Sequence, residues 1–360
     1  MRKSLNKICN LKQWPTIPTK ELVEVGYPVW GANGIIGYSE KYNHDIDTIM
    51  ICCRGATCGT INVSKGKCYI NGNAMCLDNL SDDYAIDYVR FFLTYYDFKD
   101  VITGAAQPQI TQKNLEKVMI PIISLDEQAK IVNILKEIEL EINTKNQELL
   151  CLDNLIKSQF IEMFGDPLIN PMKWKIEELY KNANVITGNT PPRANVSNYG
   201  DYLEWIKTDN IIENAIYPSI AKEYLSENGA QIGRSAPSGS ILMACIAGSI
   251  SSIGRVCLLD RKVAFNQQIN AIVPVNYSSR FLLHLLKNSK DYLICDVNMA
   301  LKGILSKSML ENKEFIIPPK PLQDQFAAIV EQIDKSKYIL QKQIDALQEL
   351  LDSKMEEFFG

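Results

Sequence analysis

The sequence predicts an α+β protein made as a pseudo-two-fold tandem repeat. Two mixed α/β segments are each followed by one long helix, and the two helices pair as an antiparallel intramolecular coiled coil. Three observations lead there. Similar stretches recur at one separation, two long stretches free of glycine breaks carry a 3.5-residue apolar repeat, and the intervening segments hold short apolar runs bounded by glycine or charge.

The repeat is plainest where Ser158-Gln159-Phe160-Ile161-Glu162-Met163-Phe164-Gly165 matches Ser353-Lys354-Met355-Glu356-Glu357-Phe358-Phe359-Gly360, 195 residues later. The same separation aligns Leu115-Glu116 with Leu310-Glu311 and Asn71 with Asn266. Trp14…Glu21-Leu22 matches Trp174…Glu178-Leu179 at a separation near 160, so the first segment is expected to be about 35 residues shorter near its start. The expected order is a first domain at 1–110, a helical segment at 111–167, a second domain at 168–305 and a second helical segment at 306–360.

From Ser124 to Phe164 there is neither Gly nor Pro. Ser124 with Glu127 forms a capping box at the start, and Gly165 followed by Pro167 marks the end. The apolar seam reads Ile131, Leu135, Ile138, Ile142, Leu149, Leu152 and Ile156, interrupted by Lys145 and Gln159. The second helix, after Pro321, repeats it with Phe326, Val330, Ile333, Leu340, Ile344, Leu347 and Leu351, interrupted by Lys337 and Lys354. Seams of this period over several heptads define a coiled coil, and each helix would be roughly 60 Å long at 1.5 Å per residue. The alternative is two separate amphipathic helices, each covering its own domain. Equal length favours pairing, and the domain between the helices favours the antiparallel sense.

In the segments between, Thr48–Cys53 and Ser240–Ile246 read as buried strands, and Tyr84–Tyr95 and Ser278–Lys290 as short helices packed on them.

Composition bounds the function. No run of 18 apolar residues exists, and the first residues lack the apolar core of a secretory signal, so cytoplasm is expected and no membrane. The ten cysteines form no Cys-x-x-Cys pair. Cys52, Cys53, Cys58 and Cys68 fit no usual ligand spacing, and neither His44 nor His284 lies in a ligand pattern, so no metal is expected. The net charge of −4 is unevenly spread: residues 124–166 carry −5 and 320–360 carry −3, leaving +1 on 1–123 and +3 on 167–319. The acid is in the helices, and the remainder is mildly basic, as a nucleic-acid binder would be.

Catalytic motifs are absent. Gly66-Lys67 lacks the rest of a phosphate loop, and no glycine-rich dinucleotide or S-adenosylmethionine loop opens a helix after a strand. Asn170-Pro171-Met172-Lys173-Trp174 resembles the Asn-Pro-Pro-aromatic motif of amino-methyltransferases but lacks its second proline. Catalytic residues are therefore expected to be none.

What the variable segments hold is amide-rich, glycine-rich loops with scattered bases. In the first, Gly31–Tyr38 reads as a loop able to approach another backbone, with Asn33 and Tyr38. Arg54 and Thr57 follow a strand, Lys65 and Lys67 flank a turn, and Asn71, Gln107, Gln109 and Lys113 complete the set. In the second, the candidates are Thr190, Arg193, Lys207, Asn210, Ser249, Ser251, Arg255, Gln267, Gln268, Lys302 and Lys307. Arg pairs with guanine O6 and N7, Asn or Gln with adenine N6 and N7, while Ser, Thr and Lys hold phosphates. The same residues are ordinary loop composition, and the alternative reading of Asn266-Gln267-Gln268 is that its amides tie down loop backbone.

Taken in order, Tyr27–Tyr38, Ser158–Pro167, Ile186–Pro192, Asn266–Asn270 and the Leu-x-x-Gln openings of both helices resemble the specificity (S, HsdS-type) subunits of type I restriction-modification systems, over essentially the whole chain. The resemblance implies two target-recognition domains, each reading one half of a split double-stranded DNA site. It implies helices that act as a spacer and dock two methyltransferase subunits, with S-adenosylmethionine on those partners and no cofactor on this chain. A restriction and motor subunit would join for cleavage. The first segment, about 110 residues long, departs from the family in being compact. Two alternatives are a structural protein with duplicated protein-binding domains and a self-sufficient DNA methyltransferase or nuclease.

Overall fold

The structure is a computed structural model that describes residues 1–104, 107–213, 215–297 and 303–360. The chain divides into two compact units, residues 1–147 with 341–360, and residues 148–340.

In the first unit the strands are β1 (Arg2–Ser4), β2 (Asn10–Lys12), β3 (Tyr27–Gly31), β4 (Gly34–Ser39), β5 (Ile49–Cys52), β6 (Ile61–Val63), β7 (Tyr69–Ile70), β8 (Ala74–Asp78), β9 (Ile102–Thr103), β10 (Gln109–Ile110) and β11 (Met119–Pro121). Its helices are α1 (Ile86–Tyr95), α2 (Gln112–Leu115) and the start of α3 (Leu125–Phe164). An antiparallel sheet runs β2-β8-β5-β6, a smaller one β4-β3-β7, and β1 pairs with β11. β5 is buried along its length, which is why it reads as an unbroken apolar run.

The second unit adds β12 (Lys175–Glu178), β13 (Ala183–Thr187), β14 (Tyr199–Gly200), β15 (Leu203–Ile206), β16 (Tyr224–Leu225), β17 (Ser235–Ala236), β18 (Ile241–Ala244), β19 (Ile246–Ala247), β20 (Val256–Leu258), β21 (Val263–Phe265), β22 (Ile269–Pro274), β23 (Gly303–Ile304) and β24 (Glu314–Ile317). Its helices are α4 (Glu227–Ile232), α5 (Ser279–Asn288), α6 (Lys290–Ile294), α7 (Lys307–Glu311) and the start of α8 (Lys320–Phe359). The sheet β13-β22-β18-β20 reproduces β2-β8-β5-β6 strand for strand, and β12–β24 reproduces β1–β11. A five-stranded sheet, β14-β16-β15-β21-β17, stands where the first unit has three strands. Both small sheets keep one parallel pair, Trp30 beside Ile70 and Ile206 beside Phe265.

The repeat is therefore real, but its early alignment needs correction. Leu5 N–H donates to Val118 O and Leu179 N–H to Lys313 O, so Leu5 is the counterpart of Leu179. Trp14 and Trp174 are not counterparts. The Trp14 indole donates to Asp78 (3.1 Å), whereas that of Trp174 donates to Phe164 O (2.9 Å) and closes the turn after α3. The methyltransferase-like Asn170 belongs to the same turn: it lies at φ 50° and its amide bonds both N–H and C=O of Trp174.

Both long helices span 40 residues. The capping box forms, with Ser124 N–H on Glu127 (2.9 Å) and Glu127 N–H on Ser124 Oγ (3.3 Å). Gly165 adopts φ 77°, and a Cβ there would meet Pro171 at 2.5 Å. In the first unit Val132, Leu135 and Ile138 of α3 share a core with Leu351, Met355 and Phe359 of α8, with Ile131, Ile142 and Leu347 packed against it. In the second unit Ile156, Phe160 and Phe164 share a core with Phe326, Val330 and Ile333, with Leu152 against it. Opposite ends of the two helices thus meet within each unit, the order an antiparallel pair gives. Ile344 is buried as well, while Leu149 and Leu340 are half-buried. The interrupting lysines stay beside carboxylates, Lys337 on Asp153 and Lys145 on Glu141 (3.2 Å).

Each helix is anchored by a buried glutamine. Gln128 accepts from Ala85 N–H (2.8 Å) and donates to Asp83 O (2.7 Å). Gln323 accepts from Ser278 N–H (2.9 Å) and donates to Pro318 O (2.8 Å). In the second helix the Leu-x-x-Gln opening, Leu322 to Gln325, would have pointed to Gln325, but that residue is exposed and Gln323 makes the bonds.

Candidate nucleic-acid interface

The two units build the same strand-end frame. In the first, Cys53 at the end of β5 donates to Asn73 O (3.0 Å) and accepts from Ile110 N–H (3.0 Å). In the second, Cys245 at the end of β18 donates to Gln268 O (2.8 Å) and accepts from Leu305 N–H (2.9 Å). A loop leaves each strand and returns on a glycine: Gly59 N–H bonds Cys52 O (2.8 Å), and Gly254 N–H bonds Ala244 O (2.8 Å). Both glycines have positive φ, 96° and 77°, a conformation that other residues adopt only with strain. Asn71 and Asn266 are counterparts: each donates its N–H to the neighbouring small sheet, Trp30 O and Ile206 O, at 3.0 Å. Three segments converge at each frame: 53–59, 71–73 and 107–110 in the first unit, and 245–254, 266–268 and 303–305 in the second.

Different side chains are mounted on this common frame. Around the first loop Arg54, Thr57, Gln107 and Gln109 are exposed, and Arg54 forms a β-bridge with Gln109. Thr57 Oγ lies 3.3 Å from Cys52 Sγ. Lys113 is exposed on α2. Lys65 and Lys67 flank Gly66 (φ 53°), Lys65 pairs with Asp47 (2.6 Å), and Lys67 stands 5.1 Å over the Tyr42 ring. Asn71 is buried with its side chain accepting from Ile17 N–H (2.9 Å), which commits that amide to the fold. The stretch expected as an open loop, Gly31–Tyr38, is instead the β3–β4 hairpin. Its register shifts at Val29/Trp30, exposing Asn33 at the turn and Ile35, Ile36 and Tyr38 on the strand.

The second unit brings together Thr190 and Gln267, which hydrogen-bond each other, and places Ser249 and Ser251 at an exposed loop with their hydroxyls 3.1 Å apart. Gln268 accepts from Asn266 (3.2 Å). Asn210 is buried and ties Lys207 N–H, Ser219 and Ile220 together. Lys307 is exposed on α7, and Lys302 lies outside the described residues. Arg193 stands 5.1 Å from the Tyr199 ring and 5.3 Å from the Trp205 ring. Arg193 and Lys207 both bond Glu223, and these partners, Lys207 foremost, hold its carboxyl below the ordinary carboxylate range. Two cations are thus pre-positioned over aromatic faces by one shared carboxylate, an arrangement able to exchange that carboxylate for a phosphate.

Several participants were not legible in the sequence. Glu223 and Glu213, the carboxylates that organise the bases, sit in stretches with no motif. Arg234 donates to Thr187 O (2.8 Å) and its N–H to Asn189 (2.7 Å), bracing the 187–193 loop. Lys287 and Lys290 lie where the sequence indicated only a covering helix. In the first unit His44, Cys76 and Asp78 bring possible ligand atoms within 4.8 Å of one another. Its acceptors are already used: His44 Nε2 lies 2.9 Å from Asp78, His44 Nδ1 lies 2.6 Å from Asn43 Oδ1, and Trp14 takes the second Asp78 oxygen. This grouping joins His44 to Cys76 and Asp78 of β8, more than 30 residues away, so no spacing motif announces it.

A duplicated frame that holds unlike polar loops on strand ends shared by both copies has the form of a recognition scaffold. The chain matches the family model described as Type I restriction modification DNA specificity domain, over residues 1–151 and again over 171–349, and it belongs to that family. It is 27% identical over 143 residues to the EcoprrI specificity subunit of Escherichia coli; that alignment covers 38% of this chain and 35% of the relative, about a third of its length. It is 23% identical over 346 residues to the MjaIX specificity subunit of Methanocaldococcus jannaschii, covering 85% of this chain and 75% of the relative. A solved structure of the type I restriction-modification S subunit from M. genitalium shares the fold, with a TM-score of 0.62 at 14% identity over 100% of this chain and 96% of that one. No helix among the described residues is long and apolar enough to cross a membrane.

Proposed function

We propose that this chain is the sequence reader of a type I restriction-modification complex, recognising a bipartite double-stranded DNA site and directing partner subunits to it without catalysing a reaction itself. Residues 1–110 would read one half-site and residues 168–305 the other, while 111–167 and 306–360 hold the helices. The observation that carries the proposal is the frame built twice around Cys53 and Cys245 with different loops on each copy. Repeated scaffolds with unlike polar surfaces suit two unlike half-sites, each good bidentate base contact contributing about 1–3 kcal/mol of discrimination.

The helices carry apolar side chains that their own cores do not use. Leu140 is 67% exposed and Leu150 63% on α3, and Ile339 is 57% exposed on α8. Such residues support docking of two methyltransferase subunits, which would carry the S-adenosylmethionine, with a restriction and motor subunit joining for cleavage. Work on cellular DNA with these partners would be done in the cytoplasm.

The test is competition binding by the complex of this chain with its methyltransferase subunit. A duplex holding both half-sites at their native spacing should outcompete duplexes with either half scrambled. Equal competition by all of them would reject the proposal.

A further inference from the structure

In the second unit a cavity of about 170 Å³ opens beside the returning end of the 245–254 loop, lined by Glu213, Gly254, Arg255, Val256, Lys287 and Lys290. Three cations face one carboxylate. That carboxylate neutralises them poorly: Glu213 is 53% exposed, and its oxygens lie 3.4 Å from Arg255 and 3.3 Å from Lys290, long for charge-assisted bonds. Arg255 Nε is buried with no partner. Lys287 makes no hydrogen bond or ion pair among the described residues, though it is half-buried. Burial foremost, and then the Lys337 charge, push its ammonium below the ordinary lysine range, against the opposing charges of Asp153 and Asp334. An unpaired guanidinium donor and positive charge that the nearby carboxylates meet only at long range are costly in a partly closed space unless an anion completes them.

The position of the cavity says what the anion does. Arg255 directly follows the loop glycine, Lys287 comes from α5, and Lys290 begins α6 while donating to Ser251 O within the loop (3.0 Å). A group held here is therefore bonded to the loop and to the helices beneath it. In the first unit the residue after the loop glycine is Thr60, so the Arg255 contribution is peculiar to the second copy.

We infer that Arg255, Lys287 and Lys290 form a pocket for one phosphate of the DNA backbone, which seats the 245–254 loop on its half-site. The inference rests on the DNA-reading function proposed above and adds to it a contact that fixes register without reading a base. An arginine fork and two lysine point charges suit a tetrahedral oxyanion, and a phosphodiester carries no sequence information. Glu213 is the displaceable counter-charge that occupies the cations before DNA arrives.

The test uses the full chain in complex with its methyltransferase subunit. Affinity for the target duplex is measured at several salt concentrations for wild type, Lys290→Gln and Arg255→Gln, with Lys287→Met as a third variant. Losing the one phosphate contact altogether would lower the slope of log K against log salt by about 0.9, and each variant should lower it by a measurable part of that. The ratio of target to base-substituted duplex should stay at the wild-type value. Lys290 is partly exposed and its ammonium bonds only Glu213 and Ser251 O among the described residues, so Lys290→Gln should melt close to wild type and keeps the test readable if Lys287→Met is unstable. Unchanged slopes in Lys290→Gln and Arg255→Gln, with wild type still preferring its target, would overturn the pocket and leave the reader role standing. A collapse of the target ratio with an unchanged slope would overturn it too, by making these residues base readers. Titration with inorganic phosphate separates the sources: weak binding abolished by the same variants and competitive with DNA supports the backbone reading, whereas phosphate bound without affecting DNA would make this a free-anion site and overturn it. If wild type shows no target preference, the reader role fails and the inference fails with it.

Discussion

At the residue scale, the second unit is organised by polar side chains that burial forces into partnership. His284 on α5 faces Phe326 edge-on at 5.6 Å, in the shelter of the helix pair. Burial, and then the charges of Lys287, Lys337 and Arg280, push its imidazole from 6.5 down to about 3. Folded His284 therefore stays neutral where the unfolded chain takes a proton. Its contribution is intact above about pH 6.5 and is lost as pH falls from there toward 3, with a limiting slope of about 1.4 kcal/mol per pH unit. Denaturant unfolding at pH 7, 6 and 5 should show this decline in wild type and a flatter one in His284→Leu; equal slopes would remove His284 as the cause. Residue-scale legibility was uneven. Asn71 and Asn266 were aligned correctly from sequence, yet their burial was not visible, because an amide that satisfies loop backbone and one that reads a base have the same composition. The pairing of Arg193 and Lys207 through Glu223 was hidden for another reason: it depends on strands that lie some 15 to 30 residues apart in sequence.

At the element scale, long elements were read and short ones were missed. The seams from Ile131 to Ile156 and from Phe326 to Leu351 were legible because a 3.5-residue period sustained over many turns has few competing explanations. The β3–β4 hairpin was read as a loop because Gly31, Gly34 and Gly37 dilute its alternation, and the strand pairs that enlarge the second unit are as short as two residues. The helices' interior and exterior faces should separate by experiment. Phe160 is fully buried, 5.6 Å from the Phe281 ring and 5.5 Å from that of Phe326. Phe160→Ala should cost about 3–5 kcal/mol of stability, measured by denaturant unfolding. Leu140→Ala should change stability by no more than about 0.5 kcal/mol, while weakening co-purification with the methyltransferase subunit. A Leu140→Ala chain that assembles like wild type would place docking elsewhere.

At the scale of the whole molecule, the repeat is the central fact, and it is legible in stretches where structure demands particular residues: helix ends, the Asn71/Asn266 step and the Leu115/Leu310 step, to which the structure adds the matching caps Thr111 and Ser306 on Asn114 N–H and Met309 N–H. The early mismatch of Trp14 with Trp174 arose because short motifs without a structural frame align by chance. Two copies of one scaffold with unlike loops make recognition modular, so each copy should specify its own half of a target. The measurement that tests this most directly is methylome sequencing of cells expressing this chain with its methyltransferase subunit, beside cells carrying a chain whose residues 168–305 come from a relative of different specificity. The account predicts a split adenine-methylated motif that appears only with the chain, and an exchange that alters one half and leaves the other intact. No motif despite a stable complex, or a change in both halves, would contradict it.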